Sequence, residues 1–227
     1  MEQGVAMRTW RGVLAFFLAT LGLWLAPGAG AVELEQGRDF QLVNPPLASE
    51  NDRIEVTEFF WYGCSHCFGF EPALAAWVKK LPADVSFRRV PVIFPDNKWL
   101  PGARLYYTLE AMNLLEKLHG EVFNAIHVDR QRLNDEKILF EWVAKKAVDA
   151  KQFSATWSSF GVQSHLQQAR RLTVAAGVTG VPSMMVEGRY LVLKAGNNEE
   201  LIAIIEQLVA RARAERSAAA GKRSLVH

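Results

Sequence analysis

Cys64 and Cys67 are the only two cysteines in the 227 residues, and their C-x-x-C spacing confines any thiol chemistry to one turn of chain. Residues three apart on a helix face the same side within bridging reach, so the pair can close a disulfide or stand open as two thiols. Taken alone, the spacing admits disulfide exchange, half of a zinc site or a static bridge. A structural zinc needs two further ligands, and His119, His127, His165 and His227 show no paired metal spacing, so no metal is expected and these four read as surface or core histidines. His66 sits between the cysteines. Protonated, it would favour a Cys64 thiolate; the plain alternative is that it fills a surface turn.

The chemistry then depends on what holds Cys64. Residues 53–60 are rich in β-branched and aromatic types behind Asn51-Asp52, which predicts a strand aimed at the cysteines. Behind them Phe68, Leu74, Trp77, Val78 and Leu81 recur at helical spacing, with Pro72 expected to kink the helix. Cys64 in the first turn of that helix would meet free backbone N–H groups and the positive end of the dipole, both of which favour a thiolate. A stable thiolate leaves easily, so a disulfide closed there would be oxidising toward other proteins. With Val181-Pro182 downstream, this context favours the redox reading over zinc or a static bridge.

The order continues with a strand over 85–94 around Arg88 and Arg89, which predicts a parallel pair joined by the helix. Helical periodicity follows in blocks at 105–118, ending at Gly120, and at 121–127, 136–147, 150–160 and 164–176. Asn134 is the expected cap of the third block and Gly177 the stop of the last. A hairpin at 183–186 and 190–193 around Glu187-Gly188 and a helix over 198–213 capped by Asn197 complete the pattern. Residues 32–51 read as an extended arm ending in a turn at Asn44-Pro45-Pro46, and 214–227 as a small, basic tail that frays.

Composition narrows the setting. Half the residues are hydrophobic and the formal net charge is +2, which indicates a folded protein and gives no support to nucleic-acid binding. Arg8 and Arg11 precede an apolar run at 12–26, and Ala29-Gly30-Ala31 is a small-x-small site, so residues 1–31 read as a cleaved export signal with a mature start at Val32. An uncleaved anchor is the alternative, although a spanning helix wants ~20 apolar residues. Export into an oxidising compartment lets a disulfide persist, and one pair in a chain of this size is an instrument, not a framework.

Two stretches carry a family resemblance: residues 58–71, Glu-Phe-Phe-Trp-Tyr-Gly-Cys-Ser-His-Cys-Phe-Gly-Phe-Glu, and 177–183, Gly-Val-Thr-Gly-Val-Pro-Ser. They resemble DsbA-type thiol:disulfide oxidoreductases of the thioredoxin superfamily, with agreeing element order over nearly the whole mature chain. The resemblance implies an α/β thioredoxin fold with an inserted all-helical domain. The expected division is 32–95 and 178–213 for the thioredoxin-like parts and 96–177 for the insertion.

It further implies Cys64 as the exposed nucleophile, Cys67 as the buried resolving cysteine and His66 as the thiolate-stabilising histidine. Val181 and Pro182, the latter cis, would face the disulfide and bind substrate peptide. Glu58 would be the acid beneath the site and Glu71 a second acid near it, although Glu71 also reads as a solvated helix residue. Ser65 stands where the best-known member has Pro, at a position that tunes redox poise.

The implied setting is a periplasmic monomer with no organic cofactor. It would oxidise folding exported proteins and be reoxidised by a quinone-linked membrane protein of the DsbB kind. The alternatives are an isomerase or reductase of the same superfamily, or a peptide-holding chaperone with a static bridge. The absence of an evident N-terminal dimerisation segment counts against an isomerase.

Overall fold

A strand buried on both faces needs cover above and below it, and all seven residues of Ile54–Phe60 are buried. The computed structural model describes residues 33–48, 52–94, 98–193 and 195–224; the segment expected to be an export signal, its expected cleavage site and Val32 lie outside them. The described elements are β1 (Phe40–Leu42), β2 (Ile54–Phe60), α1 (Ser65–Val78), β3 (Val85–Pro91), α2 (Leu100–Ala111), α3 (Leu115–His127), α4 (Glu136–Ala144), α5 (Ala150–Trp157), α6 (Phe160–Ala175), β4 (Ser183–Val186), β5 (Tyr190–Val192) and α7 (Asn198–Ser224).

The strands form one mixed sheet in the order β1-β5-β4-β2-β3. β2 pairs parallel with β3 through the α1 crossover, as expected, and antiparallel with β4. Helices α2 to α6 all fall between β3 and β4 in the chain, so the fold is a thioredoxin-type sheet carrying a helical insertion.

Two apolar clusters cover the sheet. Ile54 and Val56 join Phe70 and Leu74 of α1 and Ile205 and Leu208 of α7 in one. Phe59, Phe60 and Cys67 join residues of the helical block, among them Leu105, Phe123 and Leu166, in the other. Alternation puts Glu58 on the face of Ile54 and Val56, the face that α1 covers.

Several expectations need correction. Phe40–Leu42 is an edge strand paired antiparallel with β5, not a plain arm; three residues are too few to show alternation. The break between α2 and α3 falls at Asn113, whose φ of 55° is left-handed, and Gly120 lies inside α3. Asn tolerates that conformation, and glycine alone does not stop a helix whose face is packed.

Asp135, not Asn134, caps α4, accepting from the backbone N–H groups of Lys137 and Ile138. Ser159 caps α6, which therefore starts earlier than its apolar spacing suggests, and Gly177 ends it at φ 69° as expected. Helix α7 does not fray after 213: Arg213 pairs with Asp84, Glu215 with Arg189, and Arg216 with Glu187, so it runs on to Ser224. The hairpin turn at Glu187 and Gly188 is as expected, with both residues at positive φ.

Candidate active site

Cys64 is the N-cap of α1, with an extended backbone (φ −85°, ψ 118°), and its Sγ accepts the Cys67 backbone N–H at 3.2 Å. A sulfur in place of the usual capping oxygen thus receives a free amide of the helix's first turn, that of its third residue, where negative charge is favoured. Both sulfurs are free thiols, so this is the reduced state. Cys64 is half-buried, whereas Cys67 is fully buried.

A side chain at Gly63 would run into the Trp61 indole, which folds over it and would have to move, and Trp99 stacks on that indole at 4.1 Å. The fold brings Val181, 117 residues away, to the same sulfur: the Cys64 thiol donates to its carbonyl oxygen at 3.5 Å. The Val181-Pro182 peptide is cis.

The two thiols are driven apart. The Cys67 thiol, the backbone N–H groups of Cys67 and His66, and the His66 charge together bring Cys64 down to about 6 from 9.0, against the cost of burial. Cys67 is pushed far up, chiefly by its bond to Cys64 and by burial, with Glu58 adding to the rise. Of the two, only Cys64 carries a thiolate near neutrality.

His66 and Ser65 are both exposed, and His66 acts on Cys64 only weakly by charge. The thiolate absorbance of the reduced protein should therefore titrate near pH 6. His66→Ala should raise that midpoint by less than about one unit, because the helix amides remain. An unmoved midpoint would remove His66 from the site, and a rise of several units would make it the dominant group.

Beneath the cysteines lies a buried ion cluster. Glu58 and Arg89 are register partners across β2 and β3; the guanidinium Nε donates to Glu58 at 3.0 Å and Nη2 to Glu71 at 2.8 Å. Burial pushes Glu58 up to about 8 in spite of Arg89, with the Glu71 charge adding to the rise. Burial also opposes the Glu71 charge, yet His119 and Arg89 hold that carboxyl below its ordinary value. His119 is buried on α3, with Nδ1 2.8 Å from the Tyr62 hydroxyl and Nε2 3.4 Å from Glu71. His127, about two turns further along the same face of α3, donates from Nε2 to the Tyr62 carbonyl at 2.8 Å.

The residues read from sequence as functional therefore fall into two groups. Cys64, Cys67, Ser65, His66, Val181 and Pro182 share one end of the sheet, while Glu58 and Glu71 belong to the cluster below, and Glu71 is not a solvated helix residue. Sequence reasoning missed Arg89, Tyr62, His119 and His127. Arg89 carried a signal, since a cation within a strand otherwise apolar enough to be buried must have an acidic partner. His119, Phe123 and His127 carried another: spaced by four, they form one stripe of α3.

A family model described as a DSBA-like thioredoxin domain matches residues 55–203. The thiol:disulfide interchange protein DsbA of Pseudomonas aeruginosa is 36% identical over 205 residues, covering 89% of this chain and 96% of that protein. DsbA of Azotobacter vinelandii is 37% identical over 205 residues, with 89% and 94% covered. In three dimensions the chain is similar to the crystal structure of P. aeruginosa DsbA, with a TM-score of 0.77 and 35% identity over 81% of this chain and 97% of that one. It is likewise similar to the oxidoreductase DsbA of Xylella fastidiosa, with a TM-score of 0.75 and 30% identity over 80% and 98%. A capping cysteine poised as thiolate above a buried partner thiol, on this fold and among these relatives, has one reading: the chain belongs to the DsbA-like thioredoxin-domain family and is a thiol:disulfide oxidoreductase.

Proposed function

We propose that the protein oxidises thiols of exported proteins in the periplasm by giving up its Cys64 to Cys67 disulfide. The observation that carries this reading is the asymmetry of the pair: a half-exposed Cys64 brought down to about 6, with a buried Cys67 driven the other way. A substrate thiolate attacks Cys64 Sγ, the bond to Cys67 breaks, and Cys67 takes up a proton. A second substrate thiolate then attacks the substrate sulfur of the mixed disulfide, and Cys64 leaves as thiolate. The substrate loses two electrons and the cysteine pair gains two.

Cys64 and Cys67 are the reacting residues in this proposal, His66 supports the thiolate, and Ser65, Glu58 and Glu71 tune it. Val181 and Pro182 lie just before β4, where an extended peptide could add as a strand and present its cysteine to Cys64. The periplasmic assignment is supported by the export signal at 1–31, and no described helix is long and apolar enough to cross a membrane. In the same reading the protein is a monomer, and a DsbB-like membrane protein linked to quinone restores the disulfide. Residues 96–177 form the inserted domain, between the thioredoxin-like parts 32–95 and 178–213.

The test mixes the oxidised mature protein with a reduced, denatured protein bearing two cysteines and follows the thiols of both. Substrate thiols should disappear as protein thiols appear, mole for mole. Peptide binding without thiol loss would contradict the proposal and favour a peptide holder with a static bridge.

A further inference from the structure

The residues just before Cys64 wall a cavity of about 360 Å³ that the disulfide chemistry does not use. Its floor is apolar: Tyr62, Leu105, Val122 and Leu133 are buried there, with Trp61 and Ile126 half-buried beside them. Neither cysteine lines it, nor do Val181 and Pro182. The volume falls at the lower end of the range for small-molecule sites, ~300–1,000 Å³.

The charges around this floor are all of one sign. Lys98, Arg130 and Arg132 line the cavity and are exposed, and no aspartate or glutamate stands among its described lining residues. None of the three cations has an ion pair or a side-chain hydrogen bond among the described residues, whereas Arg89, Arg213 and Arg216 elsewhere each hold a carboxylate. Two side-chain amides, Gln131 and Asn134, also line it, and Asp135 caps α4 in place of Asn134.

The backbone brings these cations to the cavity. Helix α3 ends at His127, and the chain reverses through Arg130, whose φ of 58° is left-handed, so that the Gln131 N–H donates back to the Ala125 carbonyl at 2.8 Å. Glycine or asparagine would take that conformation at lower cost, so the turn alone does not call for an arginine. The reversal sets Arg130 and Arg132 beside Val122 and Ile126 of α3.

An apolar floor beneath unpaired cations fits a ligand with an apolar body and an anionic head. An arginine fork takes a carboxylate through two parallel bonds, and side-chain amides can donate to oxygen as well. We propose that this cavity binds a small organic anion, a carboxylate or sulfonate whose apolar body lies over Leu105 and Val122 and whose head meets Arg130, Arg132 and Lys98. The ligand touches no reacting sulfur, yet Trp61, Tyr62 and Gly63 form one wall, so it lies against the segment that carries Cys64. No covalent bond changes on binding, and the site does not depend on the direction in which the cysteine pair works.

The test is a fluorescence titration of the folded mature protein with anilinonaphthalene sulfonate, alongside its uncharged relative phenylnaphthylamine. The sulfonate should bind saturably, more weakly as salt rises, and should raise the thermal midpoint as a ligand of the folded state does. The uncharged relative should bind about tenfold more weakly. Arg130→Ala combined with Arg132→Ala should weaken the sulfonate about tenfold and leave the uncharged probe as it was. Gly102 lines the cavity from α2, and a Cβ built on it meets the Tyr62 side chain at 3.7 Å, an ordinary contact. Gly102→Leu should therefore fill the space and abolish binding of both probes.

Equal affinity for the two probes, an unchanged affinity in the double arginine variant, a thermal midpoint that falls with added sulfonate, or no saturable binding would each overturn the proposal. Sulfonate binding that a folded Gly102→Leu leaves untouched would place the anion elsewhere and overturn the site. If Gly102→Leu does not fold, the double arginine variant decides the matter, since both of its residues are exposed.

Discussion

Cys64→Ala is expected to reduce disulfide exchange to the uncatalysed rate, whereas Cys67→Ala, once oxidised glutathione has converted Cys64 to its mixed disulfide, should still be attacked at Cys64 with loss of glutathione thiolate and should accumulate as mixed disulfides with substrate. The difference follows from position. Cys64 is half-buried and caps α1, so it is the sulfur an incoming thiolate can reach and the one the helix amides stabilise on leaving. Cys67 is fully buried and its thiol is pushed far up, so it can close on Cys64 but cannot meet a substrate. Gel shifts after thiol blocking separate the two outcomes, and full activity in either variant would contradict the assignment.

The same thiolate links stability to pH in the reduced protein. A group brought down from 9.0 to about 6 on folding stabilises fully above pH 9, and the contribution is lost as pH falls through about 6. Allowing for solvent at a half-exposed sulfur, the contribution is ~2 kcal/mol. The oxidised protein has no thiolate to protonate. Its unfolding midpoint should therefore lack this dependence between pH 6 and 9, and so should that of Cys64→Ala.

Arg89→Met is expected to cause a large loss of stability, ~3–5 kcal/mol, because it strands the buried Glu71 carboxylate and takes the donor from the buried Glu58 carboxyl at once. Glu58 is 1% exposed and Glu71 15%, and Arg89 is the hydrogen-bond donor to both. For a chain of this size the thermal midpoint should fall by about 10 °C. With the cation gone, Glu58 rises further in the folded state and Glu71 loses one of the two groups that hold it down. A raised acid loses stability as pH rises, so the deficit should shrink as pH falls through the carboxylate range.

Arg213→Met is the control. Arg213 pairs with Asp84, but the two side chains are 45% and 49% exposed, so its loss should barely move the melting midpoint. Equal melting of wild type and Arg89→Met at neutral pH would show that the cluster does not hold the sheet to α1.

What could be read from residues alone was what neighbours in sequence decide. The strand Ile54–Phe60, the helix after Cys64 and the hairpin at Glu187-Gly188 all show in local periodicity or turn chemistry, and all three stand where expected. Phe40–Leu42 did not show, because a three-residue edge strand is set by its antiparallel partner 150 residues later. The α2 to α3 break was misplaced because Gly120 is conspicuous in sequence, whereas the left-handed conformation at Asn113 depends on packing.

The site divides in the same way. Cys64, His66 and Cys67 are contiguous and were legible together. The roles of Arg89 and His119 depend on the register that sets Glu58 beside Arg89 and on how α3 lies against α1, and neither leaves a local mark. The notion of Glu71 as a solvated residue failed for that reason, since only the folded chain brings Arg89 and His119 to it.

The central claim is that Cys64 and Cys67 form an oxidising pair, and the most direct measurement is the redox equilibrium of the purified mature protein against glutathione, followed by tryptophan fluorescence or thiol blocking. A thiolate stabilised to about 6 in the reduced state draws the equilibrium toward reduction. The protein should therefore be mostly reduced in a glutathione mixture that leaves an ordinary structural disulfide intact. A pair that stays oxidised there would be a static bridge or a reductant, and would contradict the account.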